Sequence, residues 1–526
     1  MADLDVDVAI VGAGPTGAAA AWRLAMAGLD VLVVERGAAF DAAMAAHGAP
    51  DVELRRRGML SSNPNIRRGV ADDPVDDADS PIKPMHAHGI GGTSTHWSAH
   101  VPRFRPQDFR LRTRTGAGRD WPIGYRDLAP YYALAEARWG TAFLPGDPLS
   151  PRRQANPKPL PTLGAHGRRM AGAFDKLGWH WWPVDLVVGR DADAPGAERC
   201  AHIGPCDIGC PSRNRATATH AFLDDALASG ARIATNLRVL RIETAARGAA
   251  SALICRNGEG LDLRIRAARI LLAAGGAATP RLLLLSEIAN GSGLVGRGLM
   301  LHPYAKVDGL FDEALGGWAA GEKAGLISFQ FAHMPVECGF VGGLKLQLGA
   351  GPGPLALAEG AVTGRRLPWG AGHHAAMEGV FDRLCGFTVC AEDLPEDENR
   401  ITLSDRLTDR DGQPAARWIY RVSENSRRAL DFGLDRASEV LRTAGASEIF
   451  RTPLRDQAGF HIMGTARMGA DPATSVVDGH GACHDVPNLR VIDSSVFVTS
   501  APVNPTLTAQ ALALRAADHL IATRRG

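Results

Sequence analysis

The sequence predicts an α/β protein built around a buried parallel sheet, and three observations carry that prediction. A run of strand, glycine turn, helix and strand opens the chain between Val6 and Glu35. Residues 269–286 form a second apolar strand that ends in a glycine pair and leads into a helix. Apolar and polar side chains alternate between residues 400 and 420, which indicates antiparallel strands joined as a hairpin. Because 526 residues exceed what one hydrophobic core usually supports, we expect a second domain.

Composition and charge narrow the kind of partner. With 58 basic and 57 acidic residues the formal net charge is +1, so the charge pattern predicts neither nucleic acid nor an anionic membrane as a partner. No apolar run reaches the roughly 18 residues that a membrane span needs. The first strand begins at Val6 and leaves no room for a signal peptide, which favours a cytoplasmic location unless a partner subunit carries an export signal. We therefore expect a small neutral ligand.

The opening segment, DVAIVGAGPTGAAAAWRLAMAGLDVLVVE, meets the requirements of a dinucleotide-binding βαβ unit. Gly12 permits the tight turn after the strand, Gly14 lets the backbone approach a pyrophosphate, and Gly17 permits close packing of helix on strand. The free N–H groups of the helix then face the phosphates. Glu35 ends the second strand, where its carboxylate can accept hydrogen bonds from ribose hydroxyls. The motif predicts a Rossmann-like fold and leaves FAD and NAD as alternatives.

Three later segments favour FAD, whose extended body needs contacts from distant parts of a chain. The stretch HGIGGTSTHWSAHVPRF carries Gly92, Thr93 and His96, and its glycines permit a close approach of backbone to a flat ligand. Gly275 lies in the turn that ends the second apolar strand. Thr506 opens the C-terminal helix, whose free N–H groups can meet an electron-rich flavin edge.

Together these segments resemble the glucose-methanol-choline (GMC) oxidoreductase family of flavoproteins. The shared motifs are, in chain order, the opening fingerprint, GGTSTHW, DWPIGYRDLAPYYALAE, LLAAGGAATPRLLLLS, HIMGTARMG and NPTLTAQALALR. The resemblance is greatest to the branch with pyranose oxidase, gluconate dehydrogenase and bacterial FAD-dependent sugar dehydrogenases. We expect a Rossmann-like FAD-binding domain made of residues 1–120, 200–305 and 455–526, and an inserted α+β substrate-binding domain with an antiparallel sheet over 306–454. Residues 121–199 are expected to form a loop-rich excursion.

The resemblance implies a reaction in which FAD takes a hydride from a C–H bond next to a hydroxyl and a base takes the hydroxyl proton. His461 of HIMGTARMG stands in the place of the family's catalytic histidine, and histidine suits a base at neutral pH. Asn504 of NPTLTA stands in the place of the second catalytic residue, where it can stabilise charge on the oxygen. A helix cap before Pro505 is its other reading. Val239 and Asp493 complete the expected cofactor contacts.

Two features leave alternatives open. In pyranose oxidase the histidine of the matching STHW is bonded to the flavin, so the resemblance permits a covalent bond at His96, with dissociable FAD as the alternative. Cys200, Cys206 and Cys210 have the spacing C-x5-C-x3-C, which resembles that of relatives whose cysteines hold an iron-sulfur cluster. Buried thiols or a disulfide are the alternatives. A cluster favours a dehydrogenase that feeds an electron-acceptor protein, and its absence leaves an oxidase open.

The substrate follows only from the resemblance, which favours a sugar, glycoside or other polyol over an aromatic or aliphatic primary alcohol. His373 and His374 are candidate substrate contacts, with a plain surface loop as the alternative. Two other classes of protein explain less of the chain. A nicotinamide-dependent dehydrogenase gives GGTSTHW and NPTLTA no purpose, and a non-catalytic electron-relay subunit does not need His461 together with Asn504.

Overall fold

The computed structural model describes most of the chain, namely residues 2–39, 51–69, 72–153, 157–188, 206–210, 214–246, 248–320 and 325–524. Its strands are β1 (Ala2–Val11), β2 (Val31–Val34), β3 (Val75–Asp79), β4 (Thr141–Ala142), β5 (Trp182–Pro183), β6 (Leu186–Val187), β7 (Arg232–Ala234), β8 (Leu237–Thr244), β9 (Ala250–Asn257), β10 (Asp262–Leu272), β11 (Tyr304–Leu310), β12 (Leu326–Ser328), β13 (Leu344–Leu348), β14 (Leu384–Ala391), β15 (Arg400–Thr408), β16 (Pro414–Ile419), β17 (Glu448–Thr452) and β18 (Leu489–Val491).

The helices connect these strands and cover the sheets. They are α1 (Pro15–Met26), α2 (Val52–Arg57), α3 (Pro64–Arg67), α4 (Leu111–Thr115), α5 (Tyr125–Trp139), α6 (Ala165–Leu177), α7 (Asp224–Ala228), α8 (Ala278–Leu285), α9 (Gly317–Ala320), α10 (Pro354–Ala358), α11 (His373–Glu378), α12 (Glu424–Thr443) and α13 (Thr506–Thr523). Among the helices of the described ranges, none is long and apolar enough to cross a membrane.

The largest sheet brings the two ends of the chain together. Its strand order is β7-β2-β1-β10-β9-β8, and β18 also pairs with β10. Strands β7, β2, β1, β10 and β18 run parallel, whereas β8, β9 and β10 are antiparallel neighbours. Residues 262–266 of β10 pair with β9, and residues 270–272 pair with β18. The C-terminal segment therefore adjoins the strand that lies beside the opening motif.

Small side chains allow the opening helix to pack closely. The four alanines at residues 18–21 are fully buried in α1, which packs against α13. Alanine is the strongest helix former and adds little volume, so helices can approach each other closely at such positions. Val8 and Ile10 of β1 are also fully buried, as expected for a parallel sheet that is covered on both faces.

A second sheet is antiparallel and is covered by helix α12. Its order is β17-β11-β14-β13-β12-β5, with antiparallel pairing throughout. The Ser423 hydroxyl caps α12 by accepting from the Ser426 N–H at 3.0 Å. Leu344, Leu346 and Leu348 of β13 pack in the same core as α12. Because side chains alternate along a strand, the residues between these leucines point to the other face.

The predicted hairpin at residues 400–419 is present as β15 and β16, and it pairs with β3 in a third sheet. The predicted fold class is therefore confirmed: a Rossmann-type parallel sheet is combined with antiparallel sheets. The strand β5, from the segment expected to be loop-rich, adds an edge to the second sheet. The expected bounds of the two domains stay a prediction.

Candidate active site

A cleft lies at the carboxyl ends of β1, β2 and β10, where ligands bind in open α/β sheets. The start of α13 and the segment around His461 form another part of its wall. Most of the cofactor contacts predicted from the sequence line this cleft; they are Gly12, Gly14, Glu35, Gly92, Thr93, Val239, Gly275, Asp493 and Thr506. Tertiary structure thus brings together residues from five distant parts of the chain.

The glycine turn forms a cradle that side chains would fill. Gly12 has φ +106°, and a Cβ there would lie 2.6 Å from the Ala273 carbonyl oxygen. Gly92 packs against Gly14, and a Cβ on Gly92 would lie 2.8 Å from the Gly14 Cα atom. Gly14 caps α1 and has no side chain to occupy the helix N-terminus. The cradle therefore fits the pyrophosphate of FAD, which backbone N–H groups at a helix N-terminus can bind.

Gly17 acts by packing and is not among the residues that line the cleft. A Cβ at this position would overlap the Gly12 carbonyl oxygen and would lie 3.2 Å from the Ala273 Cβ. Any larger residue would push α1 away from β1 and β10. The close helix–strand packing expected from the motif is therefore present.

Glu35 ties three backbone segments together. Its carboxylate accepts hydrogen bonds from the N–H groups of Ala13 at 2.9 Å, Gly37 at 3.0 Å and Gly89 at 3.0 Å. Burial raises the pKa of this carboxyl, and the three backbone bonds oppose that rise. The ribose contact expected from the sequence stays a prediction. The backbone contacts are a further role that the sequence interpretation missed.

Asp493 joins the C-terminal segment to the turn after β10. One carboxylate oxygen accepts from the Gly275 N–H at 2.8 Å and from the Thr279 hydroxyl at 2.6 Å. The other oxygen accepts from the Ser495 N–H at 2.9 Å. These bonds hold two walls of the cleft at a fixed separation.

A set of charged residues on the cleft wall was missed by the sequence interpretation. Arg238 forms an ion pair with Asp73 at 2.6 Å, and Arg281 forms one with Asp409 at 2.6 Å. The Nε and Nη2 atoms of Arg238 are buried, and no partner for them lies in the described part of the chain. Buried donors without acceptors are costly, so these atoms suit the oxygen or nitrogen acceptors of a bound nucleotide.

Strand register brings His461 next to a second histidine. Met300 and Met463 form an antiparallel bridge, and their backbone N–H and C=O groups exchange hydrogen bonds of 3.0 Å. Two residues beyond this bridge in each segment are His302 and His461, so the two rings come together. Their Nδ1 atoms lie 2.9 Å apart. The Tyr304 hydroxyl lies 3.1 Å from the same His461 Nδ1 atom.

The contacts of His302 determine which nitrogen of His461 carries hydrogen. His302 is fully buried, and burial lowers its pKa to about 3, so the ring is neutral at physiological pH. Its Nε2–H donates to the Ala501 carbonyl oxygen, which leaves Nδ1 as an acceptor. His461 must then donate from Nδ1–H, and its Nε2 keeps a lone pair. Burial, with smaller effects of His302 and Lys345, holds the pKa of His461 well below its ordinary value.

His302 and Ala501 also share an unusual backbone conformation. Their φ angles are +53° and +47°, in the left-handed region that favours glycine. Such residues cost roughly 1–3 kcal/mol each and cluster at functional sites. The conformation permits the bond between the His302 ring and the Ala501 carbonyl.

Asn504 is buried beside the cleft, and its neighbours Pro505 and Thr506 line the cleft wall. Its Oδ1 atom accepts a hydrogen bond from the Nζ atom of Lys345. Lys345 lies on β13 between two leucines and is fully buried. The sequence interpretation missed this lysine, although a single lysine inside the apolar run GLKLQLG was a usable signal.

Three other candidates lie outside the cleft lining. His96 is half-buried, its Nδ1 atom lies 3.1 Å from the Asp207 carbonyl oxygen, and burial lowers its pKa to about 4. His373 and His374 lie in the short helix α11 and are not among the cleft residues, so their role as substrate contacts stays a prediction.

The predicted cluster cysteines are only partly within the described residues. Cys206 is buried and Cys210 is partly exposed, whereas Cys200 lies outside the described ranges. Among the residues that the structure describes, no group of three or more His, Cys, Asp and Glu could hold a metal ion. The iron-sulfur cluster therefore stays a prediction.

The Rossmann-type sheet, the glycine cradle and the histidine pair on the cleft wall define an FAD-dependent oxidoreductase. Residues 7–67 match the family model of FAD dependent oxidoreductases, and residues 164–304 and 395–513 match the two models of GMC oxidoreductases. The chain is 34% identical to 2-methyl-1,2-propanediol dehydrogenase from Mycolicibacterium austroafricanum, over 98% of this chain and 95% of that protein. The protein belongs to the GMC oxidoreductase family, as the sequence motifs predict.

Two further similarities agree with this assignment. The chain is 29% identical to the fructose dehydrogenase large subunit from Gluconobacter japonicus, over 98% of each protein. The crystal structure of pyridoxine 4-oxidase from Mesorbium loti superimposes with a TM-score of 0.65 at 18% identity, covering 98% of this chain and 99% of that one. At this level of identity the structural similarity shows the shared fold.

Proposed function

We propose that the protein oxidises one alcohol carbon of a small polyol or sugar to a carbonyl, with His461 as the base. The observation that carries this proposal is the contact between the Nδ1 atoms of His302 and His461, which leaves Nε2 of His461 with a lone pair. No protein partner for that nitrogen lies in the described part of the chain. Bound FAD supplies the acceptor for the hydride of the carbinol carbon, and Nε2 takes the hydroxyl proton.

Other residues at the cleft would bind the cofactor, stabilise charge on the alcohol oxygen and exclude water. The cradle of Gly12, Gly14 and Gly92 would hold the pyrophosphate, and Val239 and Arg238 would contact the adenosine end. Asn504 would donate from its amide to the alcohol oxygen as negative charge develops there. Phe460, which is 41% exposed and lines the cleft next to His461, would exclude water from the reacting carbon.

The substrate class is proposed from the relatives and from the polar groups near His461. One relative is named for a vicinal diol and another for a ketose. The Tyr304 hydroxyl lies 3.1 Å from His461 Nδ1, and the Asn504 amide adjoins residues of the cleft wall, which suits a substrate with more than one hydroxyl. A polyol is therefore favoured over a plain primary alcohol.

We propose that FAD is held without a covalent bond. His96 is not among the cleft residues, and the contact of its Nδ1 atom with Asp207 supports a role in fastening the segment at 206–208. Acid precipitation of the holoenzyme tests this point. Flavin colour in the supernatant is expected, and colour that stays with the pellet would instead establish a covalent bond.

An iron-sulfur cluster at Cys200, Cys206 and Cys210 is a separate proposal. The segment that contains Cys206 packs against the turn at residues 92–96, beside the cleft, which suits transfer of electrons away from a flavin. Iron and acid-labile sulfide in the amounts expected for one cluster per protein chain would support a dehydrogenase that passes electrons to a protein acceptor. The absence of iron and sulfide from anaerobically purified protein would rule out the cluster.

The main test mixes the holoenzyme anaerobically with 2-methyl-1,2-propanediol, D-fructose or benzyl alcohol and follows the visible flavin absorbance. We expect the diol or the sugar to bleach the flavin faster than benzyl alcohol does. His461→Gln should retain FAD and lose about 10²- to 10⁴-fold in the rate of bleaching, the range typical of a lost general base. Bleaching at the wild-type rate in this variant would contradict the proposal.

A further inference from the structure

Lys345 is a fully buried lysine inside a strand whose neighbouring side chains form the core. Leu344 and Leu346 on either side of it are also fully buried, and they pack towards α12. Side-chain alternation therefore turns Lys345 to the opposite face of the sheet. Burial of a lysine is costly unless its polar head finds partners, so its retention at this position calls for an explanation.

The sheet register places Lys345 in the same row of side chains as Tyr304, which contacts His461. Lys345 of β13 is paired with Cys390 of β14, and Cys390 is paired in turn with Tyr304 of β11. Residues directly opposite each other share one face of a sheet, so the three side chains form a row. Tyr304 contacts His461 at one end of the row. Lys345 reaches Asn504 at the other end.

The Nζ atom of Lys345 settles the orientation of the Asn504 amide. It donates to the Oδ1 atom of Asn504, and it also lies 3.2 Å from the Oε1 atom of Gln347. An amide whose oxygen accepts from a lysine turns its NH2 group away from that lysine, towards other partners. In the described part of the chain, no protein acceptor binds the Nδ2 atom of Asn504. Its hydrogens therefore remain for a ligand.

We infer that Lys345 is a positioning residue, which holds the amide of Asn504 so that its NH2 group donates to the alcohol oxygen. The inference rests on the function proposed above. Without Lys345 the amide can rotate by half a turn and present its oxygen to the alcohol oxygen, which destabilises the negative charge that develops there. Neither the family motifs nor the roles expected from them include this lysine.

A double-mutant cycle with Lys345→Met and Asn504→Ala tests the inference. The readout is the rate of anaerobic flavin bleaching by 2-methyl-1,2-propanediol, with FAD occupancy measured for every variant. Lys345→Met is expected to slow bleaching about 10- to 100-fold, comparable with the loss of one oxyanion donor. In the Asn504→Ala background the same change should alter the rate less than about two-fold, because its effect acts through the amide.

A full effect of Lys345→Met in the Asn504→Ala background would overturn the inference and leave the proposed function intact. A wild-type rate of flavin bleaching in Asn504→Ala alone would instead contradict the proposed role of Asn504. Lys345→Gln retains a donor for Oδ1 and should recover most of the lost rate. A rate as low as that of Lys345→Met would also count against positioning. Lys345→Leu replaces the methionine variant in the cycle if that variant does not bind FAD.

Two controls separate positioning from general damage to the sheet. Lys306→Met removes a lysine from strand β11 of the same sheet, where its Nζ atom lies 3.0 Å from Asp308, and it should leave bleaching unchanged. The pH profile provides a second readout, because Lys345 helps to hold down the pKa of His461. In Lys345→Met the acid limb of the bleaching rate should move to higher pH. A limb that does not move would show that the ammonium group of Lys345 lies too far from His461 to act on this site, and it would count against the inference.

Discussion

The Nδ1 atoms of His302 and His461 lie 2.9 Å apart, although 159 residues separate them in the chain. The bridge between Met300 and Met463 brings the two rings together. Because His302 donates through Nε2–H to the Ala501 carbonyl, its Nδ1 atom is the acceptor in the contact with His461. The pair leaves His461 Nε2 as the basic nitrogen.

Removal of the His302 ring should weaken the base without removing it. In His302→Ala the Nδ1 atom of His461 keeps only the Tyr304 hydroxyl, which can donate as well as accept, so the tautomer with a basic Nε2 is no longer fixed. We expect the rate of anaerobic flavin bleaching by 2-methyl-1,2-propanediol to fall about 10- to 100-fold, the range for lost support of a functional histidine. His373→Ala, in the exposed helix α11, serves as the control. An unchanged rate in His302→Ala would contradict the proposed geometry.

The pH dependence of the bleaching rate should reflect the low pKa of His461. The neutral ring is the active form, so the rate falls as pH drops through the pKa and is constant above it. Because that pKa is held well below the ordinary value of 6.5, the rate should be level from pH 6.5 upward and decline only in more acidic buffer. Stopped-flow measurements across this range test the point. An acid limb centred above pH 7 would show that the pKa of His461 is not lowered.

Gly17→Ala should prevent normal assembly of the cofactor cradle. The added methyl group would overlap the Gly12 carbonyl oxygen, so α1 must move away from β1. We expect loss of FAD from the purified protein and a decrease of roughly 1–3 kcal/mol in the free energy of unfolding, as for other overpacked sites. Gly172→Ala in α6 has open space around it and is the matched control. Full FAD occupancy in Gly17→Ala would argue against the close packing.

His166→Leu should stabilise the protein, most of all in acid. His166 is fully buried in α6, and both of its ring nitrogens are without partners in the described residues. Replacement by an apolar side chain removes two unsatisfied polar groups, each of which costs about 1–3 kcal/mol.

The sign of the pH effect follows from the same burial. Burial lowers the pKa of His166 to about 4, so the native state resists protonation and stability is lost as pH falls from 6.5 towards 4. The leucine variant should flatten that part of the stability profile. Urea unfolding at pH 7 and pH 5 measures both effects. A larger loss of stability in the variant at pH 5 would refute this account.

The sequence by itself determined the features that depend on short spacings. The glycines and Glu35 of the first βαβ unit act over fewer than thirty residues, so their order already prescribes the turn, the helix start and the strand end. The alternating pattern at residues 400–419 likewise predicts the hairpin, because the alternation of apolar and polar residues along a strand shows which side chains lie on each of its two faces. The family motifs pointed to His461 and Asn504 in the same way.

Only the tertiary structure decided what surrounds those two residues. His302 reaches His461 through a strand bridge, and Lys345 reaches Asn504 across 159 residues through the register of three strands. A local pattern cannot encode such contacts, because the register of a strand depends on partner strands from distant parts of the chain. Glu35 shows the same limit: its place at a strand end was readable, whereas its three backbone partners depended on how distant loops converge.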